Sequence, residues 1–108
     1  MGAYLYLALA IAAEVTATVS LKLSDGFSEV LPSVLVAVGY GVAFFALSRV
    51  LKLGLPIGVA YAVWAAAGVA LVAIIGVLFL KEPINLVMVG GLVLVIGGVV
   101  LIEVGSSQ

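Results

Sequence analysis

The stretch IGVAYAVWAAAGVALVAIIGVLFL, residues 57–80, runs without a charged residue or a proline. A helix that crosses the hydrocarbon core of a bilayer needs about 20 mostly apolar residues. This segment is long enough to span with no polar relief, and a strand of that length is rare. Three more stretches of the same kind lie at 4–21, 30–49 and 84–104. The first is broken only by Glu14 and small hydroxyl residues. The expected fold class is therefore an all-α membrane protein, with four transmembrane helices in a single domain over residues 1–108. Short connections make successive helices antiparallel neighbours.

Composition agrees. Of 108 residues, 67% are apolar and only 8% are charged, where about a quarter charged is usual for soluble domains. Four Lys and Arg face five Asp and Glu, which gives no basic field for nucleic acid. The chain has no Cys and no His, so disulfides, thiolate chemistry and imidazole metal sites are excluded, and no metal or cofactor is expected. No phosphate-cradling glycine loop occurs, so uphill work must draw on an ion gradient or a partner. No Lys or Arg precedes the first apolar run, so that run reads as a span and not as a cleaved signal peptide.

The punctuation between spans is consistent. Lys22 suits the C-terminus of helix 1, and the segment Lys22–Phe27 closes that helix. Pro32 sits near the start of helix 2, and Gly54-Leu55-Pro56 separates helices 2 and 3. In Lys81-Glu82-Pro83, Lys81 suits the end of helix 3. Glu82 suits the beginning of helix 4, where Pro83 costs no hydrogen bond. Four spans place Arg49 and Lys52 on one side of the bilayer and Lys22 and Lys81 on the other. Two against two leaves the positive-inside rule undecided. Two readings stay open: other features fix one orientation, or the chain inserts both ways and forms an antiparallel dimer.

Glu14 is the anomaly. An ionisable side chain at a helix centre costs roughly 3 kcal/mol or more on insertion scales. It belongs in the bundle interior or in a watered cavity. Taken out of water, a carboxylate requires a counter-charge or a proton, and all four Lys and Arg lie at predicted helix ends. A group that takes either a proton or a cation, but not both, is the minimum device for exchange. Ala10, Ala17 and Thr18 share its helix face. The two alanines leave room for a ligand or for close packing. Thr18 is in reach of a water, the carboxylate or its own backbone.

Tyr40 falls near the middle of helix 2, one turn from Phe44, and its hydroxyl needs a partner when buried. Tyr61 and Trp64 share a face of helix 3. Aromatic faces beside a carboxylate can receive a delocalised or quaternary cation; the competing reading is packing and interfacial anchoring. On helix 4, Gly90-Gly91 and Gly97-Gly98 lie seven residues apart on one face. They form a flat strip for a second copy of helix 4 or for another helix of the same chain. The residues alone leave three functions open: a cation exporter, a cation-conducting pore, and a non-transporting assembly subunit.

With Ala13-Glu14-Val15, Lys22-Leu-Ser-Asp-Gly-Phe27, Pro32-Ser33, Tyr40 and Ala60-Tyr61-Ala62-Val63-Trp64 in view, the chain resembles the small multidrug resistance family from end to end. The resemblance implies a proton-coupled exporter in the bacterial plasma (inner) membrane, working as an antiparallel dual-topology homodimer. It implies that Glu14 of both subunits binds protons and substrate, and that Tyr40, Tyr61 and Trp64 lie around the substrate. Gly91 and Gly98 match the glycine side of the helix 4 dimer contact, and Lys22 the family's loop-one lysine. Some members work only as pairs of two different chains. Guanidinium exporters in the family resemble one another in a Trp three residues after the Glu and a Gly three before it. Here those positions hold Ala17 and Ile11, which points to lipophilic and quaternary ammonium cations, with guanidinium-type small cations as the alternative. After Trp64 the chain has Ala65-Ala66-Ala67-Gly68, where the family often has Ser or Thr and then Gly-x-Gly. A hydroxyl and a glycine at the site and at the helix 3 bend are thereby lost.

Overall fold

A computed structural model describes residues 2–106. Four α-helices follow one another: α1 (Gly2–Leu23), α2 (Val30–Lys52), α3 (Ile57–Phe79) and α4 (Leu86–Ser106). Each is long and apolar enough to cross a membrane, at about 1.5 Å of rise per residue. The chain divides into two compact halves, α1 with α2 and α3 with α4.

In the first half the buried positions explain the pairing. Leu7, Ala10 and Ala17 on α1, and Val36, Ala43, Ala46 and Val50 on α2, are buried. Their spacings of three, four and seven trace a narrow seam of mostly small residues down each helix. Seams of this kind let two helices approach closely in lipid, where packing replaces the hydrophobic drive. The antiparallel register is visible along its length. The Arg49 guanidinium lies 6.0 Å above the Tyr6 ring at one end. Gly39 faces Ala17 near the middle.

Helix 1 closes in the Lys22–Phe27 segment, where the chain turns sharply. Asp25, Gly26 and Phe27 all adopt left-handed backbone, with φ of 50°, 71° and 69°. For a non-glycine residue that conformation costs roughly 1–2 kcal/mol. The fully buried Ser24 organises the turn. Its Oγ donates to the Leu21 carbonyl (2.7 Å) and accepts from the Phe27 amide (3.1 Å). Its own carbonyl accepts from the amides of Ser28 and Glu29.

The second half differs from expectation at one junction. Helix 3 was expected to run to 80 and helix 4 to begin at 84, with Pro83 just before its start. Instead α3 stops at Phe79 and α4 begins at Leu86. The reason is Asn85, whose Oδ1 accepts the Met88 amide at 2.9 Å. This is an N-cap, which satisfies a donor that the first turn would otherwise leave bare. Pro83 also disfavours helical backbone at Glu82 before it. At the other end the Gly76 carbonyl accepts from both Leu80 and Glu82 amides, while Lys81 turns left-handed at φ 58°. Asn85→Ala is expected to cost about 1 kcal/mol, read as a lower thermal midpoint in detergent with cation affinity unchanged. The helix runs unbroken through Ala65-Ala66-Ala67-Gly68, so the departure from the family pattern leaves it continuous.

Candidate functional site

Helix α1 delivers Glu14 at its midpoint, partly buried. Thr18 lies one turn further on, and its Oγ1 donates to Glu14 Oε2. This is not the default for a helical threonine. Thr16, two residues earlier, donates back to its i−4 carbonyl, Ala12 O, at 2.8 Å, as such residues usually do. Thr18 turns to the carboxylate instead.

Helix α2 then adds Tyr40, whose hydroxyl lies 2.8 Å from Thr18 Oγ1. The direction of that bond follows from counting protons. Threonine has one hydroxyl proton, and Thr18 gives it to the carboxylate. With Glu14 ionised, Tyr40 must therefore donate to Thr18. The three side chains form one directed chain: Tyr40 to Thr18 to Glu14.

Gly39 makes this contact possible. A Cβ at that position would stand 2.8 Å from Ala17 Cβ and 2.9 Å from the Ala13 carbonyl oxygen. Any side chain there would push α2 away from α1 and stretch the Thr18–Tyr40 bond. Sequence reading passed over Gly39. Its signal was a glycine inside a helical pattern, immediately before the tyrosine already singled out. Ala17 is fully buried and packs against Gly39. Ala10 is likewise fully buried.

Basic residues stay at the helix ends: Lys22 in the last turn of α1, and Arg49 and Lys52 in the last turn of α2. Lys22 is eight residues from Glu14, about 12 Å of helix rise. The Thr18 hydroxyl is the hydrogen-bond partner of the carboxylate. Phe44 is 59% exposed.

In the other half, Tyr61 and Trp64 form an edge-to-face pair, with ring centroids 6.0 Å apart and planes at 85°. Offset and T-shaped arrangements are the favoured ones for aromatic rings. Trp64 is buried and Tyr61 exposed, so the indole is held while the phenol is presented. An apolar groove of about 190 Å³ lies between Ala73, Ile74, Val77 and Leu78 on α3 and Ile84 and Leu92. On α4, Cβ atoms added at Gly90, Gly91, Gly97 or Gly98 would meet nothing within 4 Å. Among the described residues of this half, nothing is packed against these glycines.

Residues 2–95 match the family model described as Small Multidrug Resistance protein. The chain is 44% identical over 103 residues to multidrug resistance protein EbrA of Bacillus licheniformis, covering 95% of this chain and 97% of that one. It is 43% identical over 105 residues to multidrug resistance protein Mmr of Mycobacterium tuberculosis, covering 97% and 98%. It is 42% identical over 107 residues to quaternary ammonium compound-resistance protein QacE of Escherichia coli, covering 99% and 96%.

Proposed function

The chain belongs to the small multidrug resistance family of secondary transporters, and from that premise we propose that it exports lipophilic and quaternary ammonium cations in exchange for protons. It is a multi-pass protein of the bacterial inner membrane, not an enzyme. The observation that carries the exchange reading is Glu14, a mid-helix carboxylate that accepts from the Thr18 hydroxyl, with the basic side chains kept to the helix ends. A site so built has room in its charge balance for one mobile cation or one proton. Cations bind the ionised carboxylate, and protonation releases them. Tyr40, Tyr61 and Trp64 are proposed to offer ring faces to the cation. Similarity to QacE supports the quaternary ammonium class.

The same reading makes the working unit an antiparallel homodimer with α4 at its contact. Val87, Leu94 and Leu101 repeat every seven residues on the glycine face and are 85%, 77% and 73% exposed. Bulky side chains and glycine notches therefore alternate along one stripe. A second α4, antiparallel and fully overlapped, seats each Leu94 over the Gly97–Gly98 notch of the other copy. Each Leu101 then lies over a Gly90–Gly91 notch. Gly97→Leu fills a notch that no described residue of its own half occupies. Overpacking of about 1–3 kcal/mol is expected to weaken self-association roughly ten- to hundredfold, measured by sedimentation in detergent. An unchanged monomer–dimer equilibrium would remove α4 from the interface.

Purified protein in liposomes tests the exchange. An imposed gradient of a quaternary ammonium cation is expected to drive proton flux the opposite way, saturably. A panel of guanidinium, small quaternary and planar aromatic cations then assigns the substrate class. Ohmic current without proton coupling would replace the antiporter with a pore.

A further inference from the structure

We propose that Thr18 is a positioning residue that reports the charge of Glu14 to the Tyr40 hydroxyl, by reversing the direction of the hydrogen-bond chain that joins them. The proposal rests on the reading of Glu14 as the exchange group and adds a second element that the bound cation senses.

The geometry is that of a short wire. Thr18 Oγ1 bonds Glu14 Oε2 on one side and lies 2.8 Å from the Tyr40 hydroxyl on the other. A threonine hydroxyl has one proton and can accept others. With Glu14 ionised, the carboxylate only accepts. Thr18 then donates to Glu14 and Tyr40 donates to Thr18. The phenolic proton is spent inward, and the oxygen lone pairs of Tyr40 face away from the chain. With Glu14 protonated on Oε2, the carboxyl donates to Thr18, and Thr18 donates to Tyr40. The phenolic proton is now released and points away from the chain.

The atom count closes. One proton is added at Glu14, the two hydroxyls rotate, and the same two hydrogen bonds persist with donor and acceptor exchanged. A cation near Tyr40 meets an electron-rich oxygen in the first state and a hydroxyl proton in the second. Protonation therefore rejects the cation twice, at the carboxylate and at the phenol.

The Thr18 side chain gives up the backbone bond that Thr16 makes. Gly39 and Ala17 hold the two helices close enough for the 2.8 Å contact. Tyr40 is the titratable side chain of α2 that faces this part of α1. Among the described residues, the remaining ionisable groups of this half, Tyr4, Tyr6, Lys22, Asp25, Glu29, Arg49 and Lys52, lie towards the ends of α1 and α2 or in the turn between them.

Infrared difference spectra between low and high pH test the reversal. Subtracting Tyr40→Phe assigns the Tyr40 C–O stretch, and Glu14→Gln assigns the carboxyl C=O band. In the wild type the Tyr40 band is expected to move from its donor to its acceptor position in step with the appearance of the Glu14 carboxyl band. In Thr18→Val the Glu14 band still titrates but the Tyr40 band stays fixed, and Thr18→Ser restores the movement. In parallel, the ratio of tetraphenylphosphonium affinity at high pH to that at low pH is expected to shrink roughly three- to tenfold in Thr18→Val, the worth of about one hydrogen bond. Movement of the Tyr40 band in Thr18→Val, or a fixed band in the wild type while Glu14 titrates, overturns the wire and leaves the exchange site standing. A wild type in which cation affinity does not change with pH overturns the exchange site itself.

Discussion

Glu14→Gln is expected to abolish proton-coupled export and to leave the helices in place. Glutamine matches glutamate in shape, and its Oε1 accepts the Thr18 hydroxyl as Glu14 Oε2 does. The α1–α2 seam does not involve the charge, so its packing survives. What is lost is the group proposed to alternate between a proton and a cation. At an effective dielectric near 20, a cation about 4 Å from a carboxylate is held by roughly 4 kcal/mol. Cation affinity should fall on the order of a thousandfold, and its pH dependence should vanish. The variant is checked in liposomes, where a cation gradient should no longer move protons, and by circular dichroism, which should show unchanged helix content. A variant that still couples the two fluxes would place the exchange group elsewhere. Glu14→Asp keeps the charge but shortens the arm, so exchange should persist with altered affinity.

The two carriers of that prediction were not equally visible in the sequence. Glu14 was visible because lipid makes a mid-span charge conspicuous, and the four spans were visible because length and apolarity are local properties. Thr18 was visible as one turn away from Glu14, with three open partners. Its actual partners, the carboxylate and Tyr40, needed the structure, because residues 18 and 40 meet only once α1 and α2 adopt a register. No local pattern gives that register. It is set by which small side chains face each other across the seam.

The junction before α4 shows a different limit. Pro83 and Asn85 both mark helix starts, and the sequence reading weighed the proline. The asparagine decides the boundary because it supplies an acceptor to the Met88 amide, whereas the proline only tolerates a position. The turn at 25–27 shows a third. Glycine announces left-handed backbone, but Asp25 and Phe27 adopt it because Ser24 collects the hydrogen bonds around them. On α4 the glycine pairs were legible while their use was not. The space around each of them is open within its own half, and the proposed dimer would fill it with a second copy of α4.

Gly39→Ala is expected to be the most damaging single-methyl change in the first half of the chain. The added carbon would lie 2.8 Å from Ala17 Cβ, 2.9 Å from the Ala13 carbonyl oxygen and 3.3 Å from Ala17 Cα. Carbon atoms rest at about 3.5–4.0 Å, and the Ala13 oxygen and Ala17 Cα are backbone atoms that no rotamer change can move. The helices must therefore separate by roughly an ångström, at a cost of about 1–3 kcal/mol. The Thr18–Tyr40 bond, 2.8 Å long, is one residue away and would open with them. Stability and the Tyr40 contribution to cation binding should fall together. Gly41, two residues along the same helix, is the control. A Cβ there meets nothing within 4 Å, and alanine is the better helix former by about 1 kcal/mol. Gly41→Ala should thus be neutral or raise the thermal midpoint while Gly39→Ala lowers it. Ala17→Gly in the Gly39→Ala background removes the shortest of the three contacts, the one to Ala17 Cβ, and leaves the backbone Cα and the Ala13 oxygen in place. It should restore part of the midpoint. Equal midpoints for the two alanine variants would mean that α1 and α2 are not held together at Gly39.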